Sequence, residues 1–270
     1  MYRLTYDTEY DAHSRMFHAS AVNIMGTRLD IVLIGQPEDT AAEICRQCVD
    51  TTAGLERLIS RYIPESETSA VNLAEPLSLI PVSDRYRRIL TLSAEMSRRT
   101  LGAFDITLGQ GSEFEFTDSG ELIIPSQGIK IDLGGIGKGI AVDEMTRIIR
   151  SGDIESAFIS FGGSSIAGIG AHPRGDSWRV SIADPFSGHT LRCIDLRDAS
   201  LSTSGNSTAL RGHIIDPATG HAVTGRRLSA VVTPSATEAE ALSTAWLIAD
   251  SRTRAAIFNN FDIKEEYVFN

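Results

Sequence analysis

The segment "IDLGGIGKGIAVD" (131–143) places four glycines, one lysine and two aspartates within thirteen residues. It follows an apolar-alternating stretch and runs into a helical pattern, so the chain must turn from strand to helix on almost bare backbone. Two familiar phosphate motifs fail here. A P-loop needs Ser or Thr after its Gly-Lys pair, and Gly139 follows Lys138. A dinucleotide fingerprint needs GxGxxG, whereas the spacing here is Gly135-x-Gly137-x-Gly139. Glycines entering a helix still let backbone N–H groups approach an anion where the helix dipole favours negative charge. Lys138 adds a point cation. Asp132 is out of place beside a phosphate unless it faces a metal or a polar ring edge. The alternative is a tight strand-to-helix turn with a solvated lysine, and the motif alone leaves both open.

Composition narrows the partners. The chain has 270 residues, enough to bury a substantial core, and reads as one unit over 1–270 without a low-complexity linker or repeat. A formal net charge of −10 argues against nucleic acid as the main partner, because phosphate-backbone binding needs basic patches. No apolar run reaches the roughly eighteen residues of a membrane span. The N-terminus "MYRLTYDTEYDAHSRMFH" carries no apolar signal region and no lipoprotein cysteine. The expectation is therefore a cytoplasmic protein as written, or a periplasmic one if the N-terminus has been trimmed. Cys45 and Cys48 form a CxxC pair, but with no second pair and a helical surrounding pattern they read as small core residues.

Helices are expected over 39–62, over 83–99 behind a Ser83 cap, after the glycine motif with Val142, Met145, Ile148 and Ile149 inward, and over 235–250 behind Ser235. Strands are expected at "RLDIVLIG", "AFISFGG", "SIAGIG", "WRVSIAD", "TLRCIDL" and "SAVVTP", with a hairpin turn at Asp118-Ser119-Gly120. Strands in runs with helices between them indicate an α+β class or two interleaved α/β units.

Three further stretches carry candidate chemistry. "GHIIDPATG" (212–220) holds His213, a general base or a surface histidine. "LGAFDITLG" (101–109) sets Asp105 in a turn as a cap or a ligand contact. "TEAEALSTAW" (237–246) puts Glu240, Ser243 and Thr244 on one helical face, which suits a hard cation such as magnesium or simply the polar side of an amphipathic helix.

Together these motifs resemble the ApbE family, the FAD:protein FMN transferases. The matching segments, in order, are "NIMGT", "LISRYIPESETSAVN", "GAFDITLG", "IDLGGIGKGIAVD", "FGGSS", "STSGNS", "GHIIDPATG" and "TEAEALSTAW", spanning residues 23–246. The resemblance implies an α+β fold, a duplicated T-fold-like arrangement of mixed sheets with flanking helices. It implies magnesium-dependent transfer of the FMN half of FAD to a Thr or Ser hydroxyl of a target protein, with release of AMP. Flavin contacts are implied for Met25, Tyr62, Ala103, Phe104 and Asp105, and further FAD contacts for Asp132, Lys138 and Ile215. Metal contacts are implied for the Gly135 carbonyl, Glu240, Ser243 and Thr244. His213 would help to activate the acceptor hydroxyl. Two positions depart from the family pattern: Glu240 and Ser164 each stand where aspartate is usual. The segment between Thr107 and Asp132 is also shorter than usual, which implies a more open rim. Two other activities follow from the same site: flavin binding without transfer, and hydrolysis of FAD to FMN and AMP.

Overall fold

The computed structural model describes residues 4–111, 113–185, 187–205 and 214–269. In chain order its elements are β1 (Thr5–Asp11), β2 (Met16–Ile24), β3 (Thr27–Ile34), α1 (Glu38–Ile59), α2 (Glu67–Leu73), β4 (Leu79–Ile80), α3 (Asp84–Arg99), β5 (Leu122–Ile123), a 3-10 turn at Leu133–Gly135, and α4 (Gly137–Ser151). There follow β6 (Ala157–Phe161), β7 (Ser165–Ile169), β8 (Trp178–Ala183), β9 (Thr190–Leu196), β10 (Ala199–Gly205), β11 (Leu228–Thr233), α5 (Ala236–Ile248), α6 (Ser251–Phe258) and β12 (Glu265–Phe269). The α+β class expected from the sequence holds. The expected helices and strands all form, within two or three residues of their expected ends.

One eight-stranded sheet, in the order β1-β2-β3-β6-β7-β10-β11-β12, organises the molecule, and its ladders are antiparallel. Because side chains alternate across a strand, each strand divides its residues between two cores. Phe17, Ala19, Leu29, Ile31, Ala167 and Val231 face the layer of α1, α4 and α5. Ile166, Leu201, Ala230 and Val232 face the other way, where the β8–β9 hairpin covers them with Trp178, Ile182 and Ile194. Cys45 and Cys48 lie fully buried on the inner side of α1, as core residues. Burial pushes both thiols up, Cys48 to about 12.

The glycine motif is where the helices meet. A Cβ added at Gly137 would lie 2.8 Å from Ile59 Cδ1, and one at Gly139 would lie 2.6 Å from the Ala236 carbonyl oxygen. Two of the four glycines therefore serve close packing of α4 against α1 and α5. Only Gly134 and Gly135 leave backbone exposed. Asp143 ends the motif by accepting from Ala236 N at 2.7 Å and Thr237 N at 2.9 Å, so a carboxylate of α4 joins the N-cap Ser235 in satisfying the start of α5.

Candidate functional site

The β2–β3 connection is a two-residue turn in which Met25 (φ 46°) and Gly26 (φ 70°) both take left-handed backbone. Such a turn suits the twist of a hairpin, but methionine holds this conformation at some cost in strain. The turn sets Met25 on the wall of a cavity of about 340 Å³. Facing it are Tyr62 just beyond α1, Asp132 and Gly134 of the glycine turn, and Lys138 in the first turn of α4. Four of the residues singled out from the sequence, drawn from three separate segments, thus share one cavity. Thr27, Glu56, Arg61 and Ser164 line it too.

Arg61 was not among the sequence candidates, yet it ties two of them together. Its guanidinium pairs with Asp132 at 2.8 Å, donates to Tyr62 Oη at 2.7 Å and sits 4.9 Å from the Tyr62 ring centre. The hydrogen bond to Tyr62 and the Asp132 charge raise its basicity further. Tyr62 is 80% exposed, so without this bond and stacking contact its ring would have little to hold it.

Behind the cavity lies a buried polar cluster. Glu240, on the sheet-facing side of α5, is 4% exposed. Lys138 Nζ meets its carboxylate at 3.0 Å to Oε1 and 3.2 Å to Oε2. Ser165 Oγ of β7 also donates to Oε1, and Ser202 Oγ of β10 lies 3.4 Å from it. Ser202 and Ser204 bracket Ser243 at 3.0 and 2.8 Å, and Ser204 reaches Thr244 at 3.4 Å. This is a hard, all-oxygen donor set with a cation, the Lys138 ammonium, already held against its carboxylate. A hard divalent ion such as magnesium fits such chemistry. Among the described residues no three His, Cys, Asp or Glu side chains converge, so one carboxylate would leave much of the ion's coordination to hydroxyls, water and ligand. Gly135 closes the 3-10 turn that touches α5.

The remaining candidates among the described residues do not line this cavity. Phe104 packs its ring edge 3.3 Å from the Cβ position of Gly135. Ala103 is buried. Asp105 spends its carboxylate locally, accepting from Thr107 N and Oγ1, both at 2.8 Å, and from Gly109 N at 3.1 Å. Ile215 pairs with Ala222 in a turn that packs against the same loop, where a Cβ on Gly109 would lie 2.2 Å from the Pro217 carbonyl oxygen. His213 lies outside the described residues. A larger hollow of about 520 Å³, between α3 and the middle of α4, holds none of the sequence candidates.

A sequence model of the ApbE family matches residues 25–126 and 112–268. The chain belongs to the ApbE family. Relatives of this ApbE chain include proteins named FAD:protein FMN transferase from Klebsiella pneumoniae (strain 342), 26% identical over 83% of this chain and 76% of that protein, and from Escherichia coli (strain K12), 26% identical over 86% and 79%. Its fold matches the ApbE protein of Thermotoga maritima (TM-score 0.79, 24% identity, 96% and 93% of the two chains). It also matches the flavin transferase ApbE of Vibrio cholerae (TM-score 0.75, 23% identity, 97% of each chain). No helix among the described residues is long and apolar enough to cross a membrane.

Proposed function

We propose that this chain transfers the FMN part of FAD to a Thr or Ser hydroxyl of a partner protein and releases AMP. The observation that carries the reading is the meeting of Met25, Tyr62, Asp132 and Lys138 on one cavity backed by the Glu240 cluster. Met25 and Tyr62 offer an apolar edge and an aromatic face to a flavin. Lys138 stands where a diphosphate entering the cavity would need a cation.

In the proposed reaction the acceptor oxygen bonds to the FMN phosphorus. The bond from that phosphorus to the bridging oxygen breaks, and AMP leaves with the bridging oxygen. The acceptor proton passes to a base, the role proposed for His213. Glu240, Ser243, Thr244 and the Gly135 carbonyl would hold magnesium, which when bound would offset the charge on the diphosphate. The rest is positioning: Arg61 holds Tyr62 and Asp132, and the carboxylate that Asp143 lends to the start of α5 fixes where Glu240 stands.

The test is incubation with FAD, magnesium and a candidate acceptor, followed by in-gel flavin fluorescence and assay of free AMP. Labelled acceptor with equimolar AMP supports transfer, and a chelator should abolish both. AMP and free FMN without label would make the protein a pyrophosphatase. Bound FAD that stays intact would make it a flavin-binding relative.

A further inference from the structure

We propose that Lys138 is the resident cation of the Glu240 cluster, and that it yields its place only when a divalent metal arrives together with a diphosphate ligand. The inference rests on the FAD reading of the cavity and concerns the order and coupling of binding at that site.

Charge and room set this order of binding. The Glu240 carboxylate is almost fully buried, and both of its oxygens face the Lys138 ammonium. Ser165 and Ser202 direct hydroxyls at Oε1. The resting cluster is thus neutral and its carboxylate satisfied, which is what burial demands of an ionised group. A bare divalent ion entering it would meet an ammonium at Glu240, the one carboxylate that the described residues place in the cluster, and would bring two positive charges into a partly dry site that is already neutral. The two negative charges of an FAD diphosphate cancel that excess. A metal diphosphate is a neutral unit, and a neutral cluster can accept it.

Lys138 also has somewhere to go. Its side chain lines the cavity beside Asp132, Gly134 and Ser164, and its four-carbon stem is flexible. Moving off Glu240, the ammonium stays in the cavity and gains the phosphate oxygens as partners. The same lysine then neutralises Glu240 in the empty protein and the diphosphate in the loaded one. Metal and FAD should therefore each bind weakly alone and strongly together, with equal coupling in both directions.

The experiment measures Mn2+ binding by electron paramagnetic resonance, with and without FAD and with no acceptor present. AMP is assayed to confirm that FAD stays intact. For the wild-type chain, FAD should tighten Mn2+ by about tenfold or more, and Mn2+ should tighten FAD by the same factor. Lys138→Met should bind Mn2+ alone more tightly than wild type and lose most of the coupling. Adding Glu240→Gln to that variant should cancel the gain. Lys138→Arg, which keeps the charge, should keep Mn2+ binding alone weak. Equal Mn2+ affinity of wild type and Lys138→Met without FAD overturns the proposal, as does coupling that survives in Lys138→Met. If Lys138→Met does not fold, the wild-type arm decides: Mn2+ binding indifferent to FAD overturns it. Failure of the transfer reading looks different, because coupling would then appear while no acceptor is ever labelled.

Discussion

Asp143, the last residue of the glycine motif, accepts a 2.7 Å hydrogen bond from Ser235 Oγ, the N-cap residue of α5. With the Ala236 and Thr237 amides it gives the start of α5 a carboxylate that comes from α4. Removing it leaves those donors without their acceptor. Asp143→Ala should cost about 2 kcal/mol. In calorimetry the Tm should fall by roughly 4–8 °C. FAD binding should weaken as well, because α5 carries Glu240. An unchanged Tm would mean that Ser235 alone caps the helix.

What the sequence revealed, and what it hid, follows from the same packing. α1, α3 and α4 announce themselves through apolar spacing, and α3 and α5 through the caps Ser83 and Ser235. β10 does not, because Ser200, Ser202 and Ser204 take the positions where a buried strand usually shows apolar residues. Its inner face looks onto Glu240 and Ser243, so hydroxyls replace the expected alternation. The seven residues of α2 are too few to show helical periodicity. Arg61 reads as one more solvated arginine until the fold brings Asp132 beside it. The pairing of Lys138 with Glu240, 102 residues apart, is a product of topology that local pattern cannot carry.

Two helical glycines should respond to alanine with opposite signs. At Gly139 the new methyl group would lie 2.6 Å from the Ala236 carbonyl oxygen and 2.8 Å from Thr237 Cα, both backbone. Gly139→Ala must push α4 from α5 and should destabilise by about 1–3 kcal/mol. At Gly54, inside α1, the nearest outside atom is Arg85 Nη1 at 3.6 Å, the end of a flexible chain. Gly54→Ala should stabilise by about 0.5–1 kcal/mol through lower chain entropy and better helix propensity. Urea unfolding of both variants checks the pair.

The CxxC pair should be chemically silent in the folded protein. Cys45 and Cys48 are buried with their thiols pushed up, whereas Cys193 is exposed. A thiol reagent should titrate one group in the native protein and three after denaturation. Protonated buried thiols should stay unreactive up to about pH 9. A second fast-reacting thiol in the native state would restore a redox reading for the pair.

Arg61→Ala should weaken FAD binding by about tenfold, the worth of one charge-assisted contact. Tyr62 loses its hydrogen bond and stacked cation, and Asp132 loses its counter-ion. Arg61→Lys should recover only part of the loss, since an ammonium has no planar fork to serve both partners. Flavin fluorescence quenching measures both variants. Wild-type affinity in Arg61→Ala would reduce the contact to a surface pair.

Glu240 gives the sharpest test of the metal half of the reading. Glu240→Gln keeps the shape and its hydrogen bonds with serine but removes the charge. Lys138 is then left partly buried without its carboxylate. Allowing for the lysine's partial exposure, the loss of stability should be about 2 kcal/mol. Hard cations favour carboxylate over amide oxygen, so the magnesium needed for half-maximal FAD binding should rise about tenfold or more. Glu240→Asp keeps the charge and draws it back by one methylene, about 1.5 Å. The shorter carboxylate reaches Lys138 and Ser165 less well, which loosens the resident ammonium while keeping an oxygen anion for the metal. Its metal requirement should therefore stay near that of wild type, although the folded protein loses some stability. Titration calorimetry with magnesium and FAD separates the two variants. If both bind FAD with wild-type metal dependence, Glu240 is a counter-ion for Lys138 and nothing more, and the cation that this cluster was built to hold is the lysine itself.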